Sequence, residues 1–132
     1  MNITEYIEVN DIGIVNIEDH GYARDEDGWD HRAYTVTLEN ADGFRFTTPW
    51  RAGMAITTRP SAEEVADSLV SEVSAYRDAG SFESWADEFG YDSDSRKAEK
   101  LYNQVGAQVD GVVTLFGGSD KFDHVAHNVD RL

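Results

Sequence analysis

Asp120, His124 and His127 stand at i, i+4 and i+7 in SDKFDHVAHNVD, residues 119–130. A helix there would set one carboxylate and two imidazoles on one face, donor types that hold zinc. The glutamate that a zinc hydrolase places inside its histidine pair is missing, and two histidines on the polar face of such a helix are ordinarily just hydrated. DEDGWD, from Asp25 to Asp30, resembles a calcium loop in composition. Its glycine does not fall at loop position six, however, and no glutamate follows at position twelve. With 26 acids in 132 residues, carboxylate pairs are everywhere, so no single pair marks a glycosidase-type acid and base. No nucleophile elbow, phosphate loop or dinucleotide fingerprint occurs, and the lack of cysteine removes thiolate ligands and disulfides together. These residues predict no catalytic, cofactor-binding or metal-binding set. They point to a protein that acts by binding rather than as an enzyme.

The charge says what such binding would favour. There are 26 acids against 11 bases, a net charge of −15. Residues 1–60 hold 11 acids and 5 bases, and residues 61–132 hold 15 acids and 6 bases, so the excess is not confined to a tail. A field of this sign repels nucleic acid and anionic lipid and attracts basic proteins over a Debye length of about 8–10 Å. The same surplus would also serve solubility, or adaptation to salt, since Asp outnumbers Glu 15 to 11 and Lys occurs three times against eight Arg. No apolar run approaches the roughly 18–20 residues that cross a bilayer. The acidic start, MNITEYIEVND, lacks the basic n-region of a secretory signal, so a cytoplasmic location is expected.

These residues have to be positioned by elements. Hydrophobic residues at 40% predict a real core, and the length predicts one domain over residues 1–132, with 1–59 mainly strands and 60–132 mainly helices. ITEYIEV (Ile3 to Val9) and IGIVNIE (Ile12 to Glu18) read as extended segments joined by a turn at Asn10-Asp11, and Asp19 to Arg32 reads as a loop. AYTVTLE (Ala33 to Glu39) alternates cleanly, with Tyr34, Val36 and Leu38 on one face. NADG (Asn40 to Gly43) supplies hairpin chemistry, and FRFTTPW (Phe44 to Trp50) returns, with Pro49 marking an end or an edge. Ser61 and Glu64 form a capping box for a helix running through about Arg77 and closed by Gly80. A fold of the α+β class follows: a small antiparallel sheet packed against three to four C-terminal helices, with Tyr34, Val36 and Leu38 facing Val65, Leu69, Trp85 and Leu101.

The segment FESWADEFGYDSDSRKAEKLY, residues 82–102, is the densest in aromatics and charge. Ser81 is a candidate N-cap. Phe82, Trp85, Ala86 and Phe89 then share one helix face, with Glu83, Asp87 and Glu88 opposite. Gly90 falls where a glycine closes a helix, and Asp92, Ser93 and Asp94 supply capping oxygens for the next one. From there Ala98, Leu101, Tyr102, Val105, Val109, Val112 and Phe116 trace an apolar stripe, interrupted by Gly106 and Gly111, where a bend or close packing is expected. Ser119 is read as the cap of a last helix buried through Phe122, Val125, Ala126 and Val129.

This segment resembles the signature FxxWxxxxGYDxDSRKAExxY of a family of small uncharacterised proteins encoded by bacteriophages and prophages. YTVTL and RPSAEEVADSLVSEV recur in that family at similar separation, so the resemblance spans roughly residues 33–117. No activity is established for the family, and no functional residue carries over. The long helix of the family tends to continue with basic residues, whereas NQVGAQVDGVVTLF has none. What the resemblance implies is context: an accessory protein acting in the cytoplasm of a bacterial host. Joined to the charge, it leads to the expectation of a protein that inhibits a basic host protein (a nuclease, polymerase or defence complex), with DNA mimicry as one route. Such a protein would contact neither nucleic acid nor membrane directly. The candidate contact residues are Glu18, Asp19, Asp25, Glu26, Asp27 and Asp30 in the first loop, and Glu83, Asp87, Glu88, Asp92 and Asp94 at the joint between helices. The rival expectation is a phage structural or regulatory binding module without charge mimicry, using an exposed aromatic such as Trp29 or Trp50.

Overall fold

The computed structural model describes residues 2–24, 30–53, 59–88, 90 and 96–129. Its first element corrects the sequence reading. Ile3–Val9 is a helix, α1, not a strand. Ile3, Tyr6 and Ile7 lie at i, i+3 and i+4 and are buried together, and the Asn2 side chain accepts a hydrogen bond from the Glu5 amide at 2.9 Å as N-cap. A run with both periods in it was decided by its cap. The helix closes with the Ile12 amide on the Ile7 carbonyl and the Asp11 amide on the Glu8 carbonyl, Asp11 taking the left-handed conformation that such a stop requires.

Three strands follow as an antiparallel meander in the order β1-β2-β3: β1 (Gly13–Arg24), β2 (Asp30–Glu39) and β3 (Arg45–Gly53). The expected loop from Asp19 to Arg32 is therefore strand at both ends, with residues 25–29 outside the described part. Its polar composition hid the pairing because β1 is an edge strand with few buried positions, so no alternation survives in the sequence. Register shifts at Ile14/Asn16 and Asp19/Gly21 leave Val15 and His20 without a residue opposite them on β2, although the His20 side chain still bonds the Thr35 hydroxyl at 2.7 Å. On the central strand the alternation holds: Tyr34, Val36 and Leu38 are buried, and Ile17, Ile14, Phe46, Thr48 and Trp50 flank them in register. Pro49 sits opposite Thr35 on β3, an edge strand where a missing N–H is tolerated.

The second half supplies α2 (Ala62–Ala79), α3 (Phe82–Glu88), α4 (Arg96–Leu115) and α5 (Ser119–Asn128), giving an α+β architecture. Ser61 caps α2 as expected, accepting from the Glu64 amide and donating to the Glu64 carboxylate, both at 3.2 Å. Val65, Ala66, Leu69, Val70 and Val73 of α2 pack with the β2 face, with Val112, Leu115 and Phe116 at the end of α4, and with Phe122 and Val125 of α5. Ser119 is not the cap of α5. Gly118 occupies that position, and no side chain caps the helix.

Gly106 and Gly111 are sites of close packing. A Cβ at Gly106 would lie 2.7 Å from the Tyr76 hydroxyl oxygen, and one at Gly111 would lie 2.7 Å from two ring carbons of Phe46. The C-terminal carbonyls of α4 are satisfied from three places. Gly118 and Gly117 amides return to Val113 and Thr114, Asn40 Nδ2 donates to Thr114 and Leu115, and the Tyr6 hydroxyl donates to Phe116 at 3.0 Å. Burial pushes the Tyr6 hydroxyl pKa above its ordinary value.

Candidate functional site: the acidic joint

The acids are not distributed evenly over these elements. Residues 61–95, from the start of α2 through the joint, hold ten acids and one base, Arg77. That span alone accounts for a net charge of −9 out of −15. Counting by halves of the chain, rather than by elements, conceals this concentration.

Helix α3 presents it. Gly80 ends α2 in the left-handed conformation at φ 73°, and Ser81 caps α3, its hydroxyl accepting from the Ser84 amide at 3.2 Å. Trp85 and Ala86 are buried and Phe82 is half-buried, which turns Glu83, Asp87 and Glu88 to solvent as the helical period requires. None of the three makes an ion pair with a described residue. Asp87 and Glu88 sit in the last turn, where the helix dipole disfavours negative charge by about 0.3–1 kcal/mol each. Glu83 and Asp87, four apart, repel one another as well. Asp87 and Glu88 therefore gain nothing from the dipole of their own helix, whereas Glu83, in its first turn, is favoured by it.

Trp85 and Leu101 do not reach the β2 face as expected. They belong to a second cluster in which Trp85, Ala86 and Ala98 are buried and Ala79, Phe82, Leu101 and Tyr102 pack around them. The break at Gly80 turns α3 away from the sheet, so its aromatic face meets the start of α4 instead. Trp85 and Phe82 lie 5.6 and 5.3 Å from the Tyr102 ring, and Tyr76 of α2 joins from the other side at 4.7 Å. Gly90 has φ 74° and open space where a Cβ would go. Gly90→Ala is thus expected to cost about 1–2 kcal/mol from backbone strain alone, while Glu83→Ala is nearly silent. Paired urea titrations of the two variants check this.

The other candidate acids are placed differently. Asp19 is bound by the Arg32 guanidinium, whose hydrogen bonds hold its carboxyl below the usual range. Asp30 is paired with Arg24 at 2.7 Å and is lowered for the same reason. Arg32 also lies over the rings of Tyr22 and Tyr34, at 5.3 and 5.9 Å. These two acids are engaged within the β1–β2 ribbon, and Glu18 is exposed on its edge. Asp25, Glu26, Asp27, Asp92 and Asp94, with Trp29, Phe89, Tyr91 and Ser93, lie outside the described residues. Trp50 is half-buried against the main core. Sequence reasoning missed the α2 acids Glu63, Glu72 and Asp78 as part of the same stretch. Their signal was the near-absence of bases between residues 61 and 95.

Elsewhere the geometry supplies little chemistry. Among the described residues no three His, Asp or Glu converge to hold a metal, so Asp120, His124 and His127 share a helix without forming a ligand set. A cleft of about 340 Å³ between α2 and α5 is lined by Ser74, Asp123 and His127, with Arg77 and Phe122 beside them. Asp123 is taken by Arg77 at 3.1 Å, and the buried Ser74 hydroxyl has no hydrogen-bond partner, so no nucleophile–base pair forms. No helix among the described residues is long and apolar enough to cross a membrane. No model of a known protein family, no curated protein and no solved structure matches this chain.

Proposed function

We propose that the protein is a small acidic binder of a basic, nucleic-acid-handling or defence protein of a bacterial host, occupying a surface built for phosphates. The observation that carries this reading is the run of ten acids with one base over residues 61–95, including an exposed α3 trio that makes no ion pair with a described residue and of which Asp87 and Glu88 stand against the helix dipole. Duplex DNA offers one charge per about 1.7 Å of axis, and a basic groove that accepts it is attracted to a dense carboxylate surface. The resemblance of residues 82–102 to a bacteriophage family supplies the context of host inhibition.

The test begins with capture from bacterial lysate at low salt, followed by titration of the captured protein. Affinity is expected to fall roughly ten- to a hundredfold between 50 and 200 mM salt, and duplex DNA is expected to displace the acidic protein. The triple change Glu83→Lys, Asp87→Lys and Glu88→Lys is expected to weaken binding at least about tenfold with the unfolding midpoint nearly unchanged. A partner that stays bound at high salt, ignores DNA and tolerates the triple change would overturn the proposal.

A second reading, a binding module without charge mimicry, has its own observation. Among the described residues, the exposed large hydrophobics are Val15 and Tyr22 on the edge strand β1 and Val9 at the end of α1. That reading predicts salt-insensitive binding lost on Tyr22→Ser.

A further inference from the structure

We propose that Tyr76 and Tyr102 form a preorganised site of oxidative modification, where a peroxide-derived one-electron oxidant joins the two rings as dityrosine and so staples α2 to α4. The rings come from different helices, yet their centroids lie 4.7 Å apart with planes tilted by 34°. That is little more than the separation of two directly bonded rings. Gly106 allows the approach. It follows Tyr102 by one turn of α4, and a helical side chain leans toward the preceding turn, so a Cβ there would fill the space beside Tyr102. The Tyr76 hydroxyl oxygen and Cε2 hold that space instead, 2.7 and 3.1 Å from where the Cβ would lie. The two Cε carbons that flank a tyrosine hydroxyl are the ones that couple on oxidation. Tyr102 also meets the rings of Phe82 and Trp85 at 5.3 and 5.6 Å, which leaves it little room to turn away from Tyr76. Burial first, and then the Tyr76 hydroxyl beside it, raise the Tyr102 pKa above its ordinary value, so oxidation has to remove a proton together with the electron.

The step balances in atoms and electrons. Each phenol gives up one electron and its hydroxyl proton and becomes a phenoxyl radical with spin on the Cε carbons. The two radicals form one Cε–Cε bond, and the hydrogens on those carbons then move to the oxygens, restoring both phenols. The pair loses two electrons and two protons in all, and hydrogen peroxide takes them up as two waters. Holding both rings in one molecule replaces a bimolecular encounter, an advantage that reaches effective molarities of about 10⁵ M or more in well-oriented cases. Coupling between molecules is opposed by the net charge of −15, which keeps chains apart at low salt. Tyr22, 64% exposed, is the residue most open to that rival reaction among the described tyrosines. The link closes the chain around residues 77–101, which include α3 and its exposed acids, and restricts the unfolded chain as a disulfide does.

The full chain is oxidised in dilute, low-salt solution with hydrogen peroxide and a haem peroxidase. A parallel sample meets a small photogenerated ruthenium(III) oxidant, with persulfate taking the electrons, which needs no access for an enzyme. Blue dityrosine fluorescence and peptide mass spectrometry read the product. A monomer lighter by two hydrogens, with the peptides of Tyr76 and Tyr102 joined, is expected at least about tenfold above any other tyrosine pair. Tyr76→Phe and Tyr102→Phe, which keep the rings, should each abolish it, and Tyr22→Phe should leave it unchanged. Gly106→Ala, which pushes Tyr76 aside, should lower the yield several-fold in a chain that still folds. The linked chain should unfold at a higher urea midpoint than the unlinked one, since the closed loop constrains the unfolded state. Covalent dimers as the main product, a link through any other tyrosine, or no link with either oxidant would overturn the proposal. So would a Gly106→Ala yield equal to that of the wild-type chain, or a linked chain with no higher midpoint. None of these readouts needs a binding partner, so failure of the functional proposal would leave them as they are.

Discussion

Asn40→Asp is expected to destabilise the protein by about 3–5 kcal/mol at neutral pH, although it changes one nitrogen to oxygen. Asn40 is 8% exposed and uses both ends of its amide. Its Oδ1 accepts from the Asp42 and Phe44 amides at 3.0 and 3.1 Å, which shapes the β2–β3 hairpin. Its Nδ2 donates to the carbonyls of Thr114 and Leu115 at 3.3 and 3.0 Å, at the C-terminus of α4. Aspartate keeps the first pair of bonds and loses the second. Two carbonyls then face a carboxylate at the negative end of the helix dipole, with no basic residue in the last turn to relieve it. The loss should shrink in acid, where protonation removes the charge and restores one donor. Urea titrations of the variant at neutral and acidic pH measure both effects. A neutral-pH loss below about 1 kcal/mol would mean that Asn40 does not cap α4.

The second large effect runs against helix propensity. Gly111 lies inside α4, where leucine would be favoured by about 0.8–1.0 kcal/mol if the helix stood alone. Instead Gly111→Leu is expected to destabilise by about 3 kcal/mol, the upper end of overpacking costs. Its first carbon already falls 2.7 Å from the Phe46 ring, well inside the 3.5–4.0 Å of carbon contact, and Phe46 is buried on β3 between helix and sheet. Gly106→Ala is the control. It meets the far end of Tyr76, which can move aside, so the change should stay within about 1 kcal/mol of wild type. Thermal unfolding of the two variants side by side decides the matter, and stabilisation by Gly111→Leu would show that Phe46 does not press on α4.

Neither position stands out by charge or by aromatic content. Both lie where elements from distant parts of the chain converge: the α1 terminus, the β2–β3 hairpin and the end of α4. The Ala41 amide bonds the Asn10 carbonyl, and Tyr6 from α1 caps Phe116 across 110 positions of sequence. The acidic joint is the opposite case. Its exposed acids on α3 make no ion pair with a described residue, and changes among them should reach binding before they reach stability.

What the sequence determined by itself is what its own neighbours decide. The capping box at Ser61, the stops at Gly80 and Gly90, the Ser81 cap and the β2 alternation each rest on interactions within a few residues. The exposed trio on α3 follows from that same short-range period. Tertiary structure decided the rest, for identifiable physical reasons. Ile3–Val9 suited either period until its cap and its burial of Ile3, Tyr6 and Ile7 chose helix. β1 exists because β2 offers hydrogen bonds to an edge strand that needs few apolar residues. Trp85 joined the start of α4 rather than the sheet because Gly80 set the direction of α3, a matter of chain path and not of apolar period. The pairing of Asp19 with Arg32, 13 positions apart, came from strand register, which a one-dimensional count of charges does not contain.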